Sequence, residues 1–150
     1  MKPRTVHSMK RFLLVAGIVA ALAIPAFAYA ALGGHFQGAV RDGETVTFSV
    51  GKRDKHHLVR AFSWNDVPVT CQLPLETTST YTFTHSIRIR NAHFHGFDVA
   101  GPGAAMHVSG TFTHHGHRAW GTLQINGDTF EGNGCTSGKL EWHARLVPSH

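Results

Sequence analysis

Carboxylates are few in this chain. Nine Asp and Glu are scattered over 150 residues, and no two of them make a plausible pair for general acid–base catalysis. Glu141 and His143 share a strand face, which is an ordinary surface arrangement. No Gly-x-Ser-x-Gly elbow or other nucleophile motif occurs, and Ser137-Gly138, just after Cys135, reads as a turn. These absences argue against an enzyme. Cysteine is rarer still: Cys71 and Cys135 are the only two, and neither has the close Cys or His spacing of a structural zinc site. From Ala31 onward there is no helical stripe, no linker and no low-complexity stretch, so nothing divides this part into more than one core.

Long apolar runs are limited to one. Phe12 to Ile24 is an uninterrupted stretch of thirteen apolar and small residues, short of the roughly 20 that span a bilayer as a helix. Lys2, Arg4, Lys10 and Arg11 precede it, Pro25 ends it, and Ala28-Tyr29-Ala30 supplies the small-x-small pattern that signal peptidase accepts. Residues 1–30 therefore read as a cleavable signal peptide and residues 31–150 as an exported domain, with an uncleaved anchor as the competing reading. Met9-Lys10-Arg11 is itself an ordinary signal start, which leaves both Met1 and Met9 open as initiator. No cysteine follows the apolar run, so lipoprotein processing lacks its attachment residue. The expected location is extracellular, in the medium or on the wall, with no membrane contact once the signal is gone.

Removing the signal also removes most of the net positive charge. The exported part keeps ten Lys and Arg against nine Asp and Glu, a net charge of +1 with histidine neutral. Nucleic-acid binding needs clustered cations that neutralise several phosphates. The nearest cluster, Lys52-Arg53-Asp54-Lys55, reads as a solvated turn, so nucleic acid is not an expected partner. An even cysteine count in an exported domain favours one disulfide, two buried free thiols being the alternative.

What is present is alternation of period two. Val46, Phe48 and Val50 alternate with Thr45, Thr47 and Ser49. Tyr81 and Phe83 alternate with Thr82 and Thr84, and Ile87 and Ile89 with Arg88 and Arg90. Met106, Val108 and Phe112 oppose His107, Ser109, Thr111 and Thr113. Ala119, Gly121, Leu123 and Ile125 oppose Trp120, Thr122 and Gln124, and Leu140, Trp142, Ala144 and Leu146 oppose Glu141, His143 and Arg145. One face is apolar and the other polar, as in antiparallel sheets with one solvated side. Asp42-Gly43, Gly51-Lys52, Gly101-Pro102-Gly103, Asn126-Gly127 and Asn133-Gly134 fall between the runs as turn signals. The expectation is an all-β, single-domain antiparallel sandwich or barrel.

These residues also carry a resemblance. A Val-x-Phe-x-Val strand (Val46 to Val50) is followed by Cys71, and later by Ile87-Arg-Ile-Arg-Asn-Ala-His-Phe94-His-Gly96. A Gly-Thr-Leu strand (Gly121 to Leu123) comes next, and Cys135-Thr-Ser137-Gly138-Lys-Leu-Glu-Trp142-His-Ala144 closes the pattern. Over residues 34–146 the chain resembles small secreted β-sandwich proteins of unknown function from actinobacteria and their relatives. The closing Cys-x-Ser-Gly-x-x-x-Trp-x-Ala is the most specific part. The resemblance implies an immunoglobulin-like or jelly-roll-like sandwich with Cys71 and Cys135 joined, and it implies no activity. In one respect this chain departs from the pattern: positions around the Phe-x-Gly strand and the following hairpin that are usually Ser, Thr, Lys or Gly are histidine here.

Twelve of the thirteen histidines lie after residue 30. They cluster as His56-His57, His93-x-His95 and His114-His115-x-His117, with His35, His85, His107, His143 and His150 alone. Neutral imidazole is a good ligand for zinc, copper and nickel. With Phe94 turned to the core, His93 and His95 should project together from one strand face at chelating distance. A hairpin carrying His114, His115 and His117 could add further imidazoles. A full site needs three or four ligands with partners behind them, and the sequence shows only pairs. Plain surface histidine and weak chelation are the simpler account.

The tryptophans divide. Trp142 is in phase with Leu140 and Ala144 and belongs to the core, and Trp64 follows Phe62 at strand spacing, in the core or at the sheet rim. Trp120 is out of phase with Ala119, Gly121 and Leu123, which puts it on the polar face unless a bulge over Gly116–Ala119 turns it inward. An exposed indole beside Thr122 and Gln124 could stack on a sugar ring or a partner protein. The sequence thus predicts a secreted, non-enzymatic surface-interaction or structural module, with a wall polymer or extracellular protein as partner and Trp120 on its ligand face. No cofactor is required. A zinc, copper or nickel protein using His93, His95, His114, His115 and His117 is the alternative.

Overall fold

Period-two patterns become strands when every second side chain finds a common core. The computed structural model describes residues 33–40, 44–72, 76–101, 103–113, 115–130 and 133–148. Nine strands follow in chain order: β1 (Gly34–Ala39), β2 (Thr45–Arg53), β3 (His56–Cys71), β4 (Glu76–Thr82), β5 (Ile87–Arg90), β6 (His93–Ala100), β7 (Ala104–Phe112), β8 (Arg118–Phe130) and β9 (Asn133–Val147). The described residues contain no helix. The stretch read as signal peptide, residues 1–30, and the Asp42-Gly43 turn lie outside the described residues.

The expected all-β antiparallel fold with one disulfide is what forms. The strand order is β2-β1-β9-β8-β7-β6-β5-β3-β4, and β3 pairs in addition with β2 and β9. Eight strands therefore close into a ring, with β4 attached to β3 outside it. The two walls of the sandwich are opposite sides of one continuous ladder. Closure leaves few unpaired strand edges, which are the usual route to aggregation of β-proteins.

The long β3 makes this closure possible. One of its edges takes β2 and then β9, and the other takes β5 and then β4. To serve four neighbours it must bend, and it does so at two bulges. Register shifts fall between Thr47 and Ser49 of the β2 partner and between Trp64 and Val67, where Ala61 and Asp66 adopt φ of 48° and 59°. Each bulge inserts one residue and resets the alternation, so Val59, Phe62, Trp64, Val67 and Val69 all reach the core.

At the far end of β3, Cys71 sits directly opposite Cys135 of β9, with Cα atoms 3.9 Å apart, and the two form the disulfide. It ties together positions 64 residues apart. Cross-linking a loop of that length removes chain entropy from the unfolded state worth about 4 kcal/mol.

Inside the ring lies an aromatic cluster centred on Phe48. Its ring meets Phe36 at 4.8 Å, Phe62 at 5.3 Å, Trp142 at 5.8 Å and Phe94 at 6.1 Å between centroids. Stacked and edge-on pairs of this kind add stabilisation beyond area burial. Room for them comes from Gly110 of β7, where a Cβ would run into the Phe94 ring and into Trp142 at 2.7 Å.

Some turn signals sit elsewhere than expected. Gly51-Lys52 lies within β2, and the chain reverses at Asp54-Lys55 instead. Asn126-Gly127 and Asn133-Gly134 are strand residues, the former at a register shift in the β8–β9 pair. Gly127 has a φ of 118° there, so its glycine serves a bulge and not a turn.

Candidate functional site

Phe94, Gly96 and Asp98 of β6 point inward, so His93, His95, Phe97 and Val99 point outward. On β7 the outward set is Ala105, His107, Ser109 and Thr111, and on β8 it is Trp120, Thr122, Gln124 and Asn126. Cross-strand register turns these into a grid. One row runs Arg90, His93, Thr111, Trp120, His143. The next runs His95, Ser109, Thr122, Glu141, and a third runs Phe97, His107, Gln124, Lys139.

Trp120 is 50% exposed, whereas Trp64 and Trp142 are 0% and 2% exposed and belong to the core. No bulge turns Trp120 inward, because β7 and β8 stay in register from Ala105↔Asn126 to Phe112↔Ala119. Gly121 permits this pairing: a Cβ there would strike the Ser109 carbonyl oxygen. Phe97 and Val99, also outward, add exposed apolar surface further along the face.

The polar members are partly held in place. His93 meets the Thr111 hydroxyl through Nδ1 at 2.8 Å. Ser109 and Thr122 hydroxyls bond at 2.9 Å, and Gln124 Nε2 donates to Asn126 Oδ1 at 3.2 Å. Arg88 on β5 donates to His56 Nδ1 at 2.8 Å. The His107 ring lies 4.8 Å from Phe97 and 6.4 Å from His95.

Among the described residues, three adjoining hollows lie on this face. One, of about 480 Å³, lies between His95, His107, Ser109, Thr122, Gln124 and Lys139, among others. A second of about 400 Å³ is lined by Arg88, Arg90, His93 and His95. The third, also about 400 Å³, holds Trp120, Thr122, Glu141 and His143. His95 is shared by the first two hollows and Thr122 by the first and third, so they adjoin.

Of the five histidines expected as metal ligands, His93 and His95 do project together from β6. His115 and His117 stand exposed in the β7–β8 turn, which is closed by Gly116 N–H donating to the Thr113 carbonyl and by Thr113 bonding with Arg118. His114 lies outside the described residues. Among the described residues no three His, Cys, Asp or Glu gather to hold a metal ion. The neighbour of His95 is His107, which sequence reasoning left as a lone residue. Phe97 was overlooked as well, although it is in phase with His93 and His95.

Below this face lies a buried carboxylate. Asp98 of β6 accepts from the Thr84 N–H at 2.8 Å, the Thr84 hydroxyl at 3.0 Å and the Val99 N–H at 3.0 Å. The Tyr81 hydroxyl also bonds to it, and His85 Nδ1 stands 3.7 Å away. Burial alone would raise its pKa, but the hydrogen bonds from Thr84, Val99 and Tyr81 outweigh it and the net shift is downward. Burial, with the bond to Asp98 and its charge, pushes the Tyr81 phenol up. Asp98 thereby fastens the β4–β5 connection to β6; the arrangement is structural.

No family model, curated protein or solved structure matches the chain. Any functional reading therefore stands on the residues themselves.

Proposed function

We propose that this is an exported, non-enzymatic interaction module that binds a cell-surface polymer through the outer face of β6 to β9. The observation that carries the reading is Trp120: a half-exposed indole, out of the core that takes the other two tryptophans, set among hydroxyls, amides and imidazoles in cross-strand register. A flat indole face stacks on the C–H face of a sugar ring while neighbouring polar groups meet its hydroxyls. Export rests on the N-terminal pattern of residues 1–30 and agrees with the Cys71–Cys135 disulfide, a bond that persists in oxidising compartments. Among the described residues no helix is long and apolar enough to cross a membrane.

The test is a titration of the exported chain, residues 31–150, with a panel of soluble neutral and charged glycans, followed by tryptophan fluorescence. Saturable quenching by at least one glycan, weakened tenfold or more in Trp120→Ala, supports the reading. Equal binding by wild type and Trp120→Ala, or no binding across the panel, overturns it.

A second reading is favoured by one contact. His95 and His107, with ring centroids 6.4 Å apart, would offer two imidazoles beside His93 to zinc, copper or nickel. Calorimetry with each ion separates the two readings. Sub-micromolar, whole-number binding that is lost in His93→Ala/His95→Ala makes this a metal protein. Weak binding indifferent to those substitutions leaves the histidines to the polymer face.

A further inference from the structure

Charge on the outside of the ring is not spread evenly. Strands β1 to β4 carry Lys52, Arg53 and Arg60 against Asp66 and Glu76. Strands β5 to β9 carry Arg88, Arg90, Arg118, Lys139 and Arg145, and Glu141 is the exposed carboxylate among their described side chains. The near-neutral total conceals a basic wall.

The two hollows that meet at His95 concentrate this imbalance. They are lined by Arg88, Arg90, His93, His95, His107 and Lys139, and no carboxylate lines either of them among the described residues. Glu141 lies in the adjoining Trp120 hollow instead. Strands stand roughly 4.8 Å apart, so the path from β5 to β9 covers about 19 Å. That is a track for an extended chain and too long for a single small anion. Guanidinium groups take carboxylates through paired N–H donors, and Ser109, Gln124 and Asn126 between the cations offer donors and acceptors for hydroxyls.

We infer that the ligand of this face is an acidic polysaccharide, with its carboxylates held along the Arg88/Arg90–His95–Lys139 track and a sugar ring on Trp120. This deepens the polymer-binding reading and rests on it. The combination of cations with an exposed indole and sugar-matched polar groups separates it from a general polyanion surface, which needs cations alone.

The experiment uses three probes against residues 31–150: polygalacturonate, its fully methyl-esterified form, and inorganic polyphosphate. The ester keeps the sugars and loses the charge, and polyphosphate keeps the charge and lacks the sugars. Polygalacturonate is expected to bind at least tenfold more tightly than either control, and to weaken at raised salt. Arg88→Gln/Arg90→Gln and Lys139→Gln should each weaken it at least fivefold with unchanged thermal midpoints, and Glu141→Gln should strengthen it severalfold. If the ester binds equally well, the acidic assignment is wrong and the polymer-binding reading stands. If polyphosphate binds equally well, the surface takes any polyanion and the assignment is again wrong. If no probe binds and the glycan panel is also silent, both fall together.

Discussion

On β2, β3 and β4 the polar side chains close on one another. Thr47 and Ser63 hydroxyls meet at 2.7 Å, Asn65 donates to Thr45 at 3.2 Å, and the Trp64 indole N–H donates to Ser79 at 3.3 Å. On β6 to β9 the same architecture carries Trp120, Phe97 and Val99 half out of the core, with imidazoles and cations beside them. Inward positions are mostly apolar on both walls, although β6 and β7 also turn Gly96, Asp98 and Gly110 inward. The sharper difference is in the alternate residues. Polar pairs form on β6 to β9 as well, Ser109 with Thr122 and His93 with Thr111. There, however, they leave the indole, Phe97 and Val99 exposed, so one wall is self-satisfied and the other available, and stability and interaction can be altered separately.

The core shared by both walls is where the largest loss should appear. Phe48 of β2 touches Phe36, Phe62, Phe94, Phe112 and Trp142, so Phe48→Ala opens a cavity facing both sides. A loss of about 3–5 kcal/mol is expected from such truncations, read as a shift in denaturant midpoint. If the walls were independent sheets, only the β2 side would lose hydrogen-exchange protection. One closed ladder predicts loss on both.

Reducing the Cys71–Cys135 bond, or Cys71→Ser/Cys135→Ser, should cost about 2–5 kcal/mol. The bond joins β3 to β9, at the place where the closed wall meets the available one. Comparing urea denaturation with and without reductant checks this, and an unchanged midpoint would mean that the ladder alone holds that corner.

Asp98→Asn is next. It replaces an acceptor of four hydrogen bonds with an amide, and bonds to charged groups contribute about 1.5–3 kcal/mol. Because the folded pKa lies below the ordinary 3.8, the stabilisation is complete above that value and is lost as pH falls through the folded pKa. The gap between wild type and Asp98→Asn should therefore be widest near neutrality and close in strong acid. A gap that is constant with pH would assign the effect to shape and not to charge.

How much of this was legible in the sequence follows from what each feature depends on. The alternation of β7, and of β9 from Leu140 onward, needed only neighbours along the chain and was read correctly. By contrast, Ser137-Gly138, read as a turn, lies within β9, and the phase of Trp120 stayed open between the polar face and an inward bulge. β3 was not readable as one strand, because the bulges at Ala61 and Asp66 break the period and are set by partners on β2 and β4. The β5–β6 turn was invisible because Asn91 and Ala92 take φ of 48° and 66°, and alanine is no turn signal. His107 joined the site only through the β6–β7 register, which single-strand patterns do not contain. Ring closure is the least local feature, and the period-two pattern left sandwich and barrel both open.

The smallest effects test the contrast between the walls most directly. Thr47→Ala on the closed wall leaves the Ser63 hydroxyl without its 2.7 Å partner, and a part-buried bond of this kind contributes about 1 kcal/mol. Trp120→Ala on the available wall removes a much larger side chain that is half in solvent. It should change stability by less than about 0.5 kcal/mol while reducing glycan binding as described above. Parallel thermal melts of the two variants give the ordering. Should Trp120→Ala cost more than Thr47→Ala, the indole is a structural cover for β8 and β9, and the division between a self-satisfied wall and an available one would have to be redrawn.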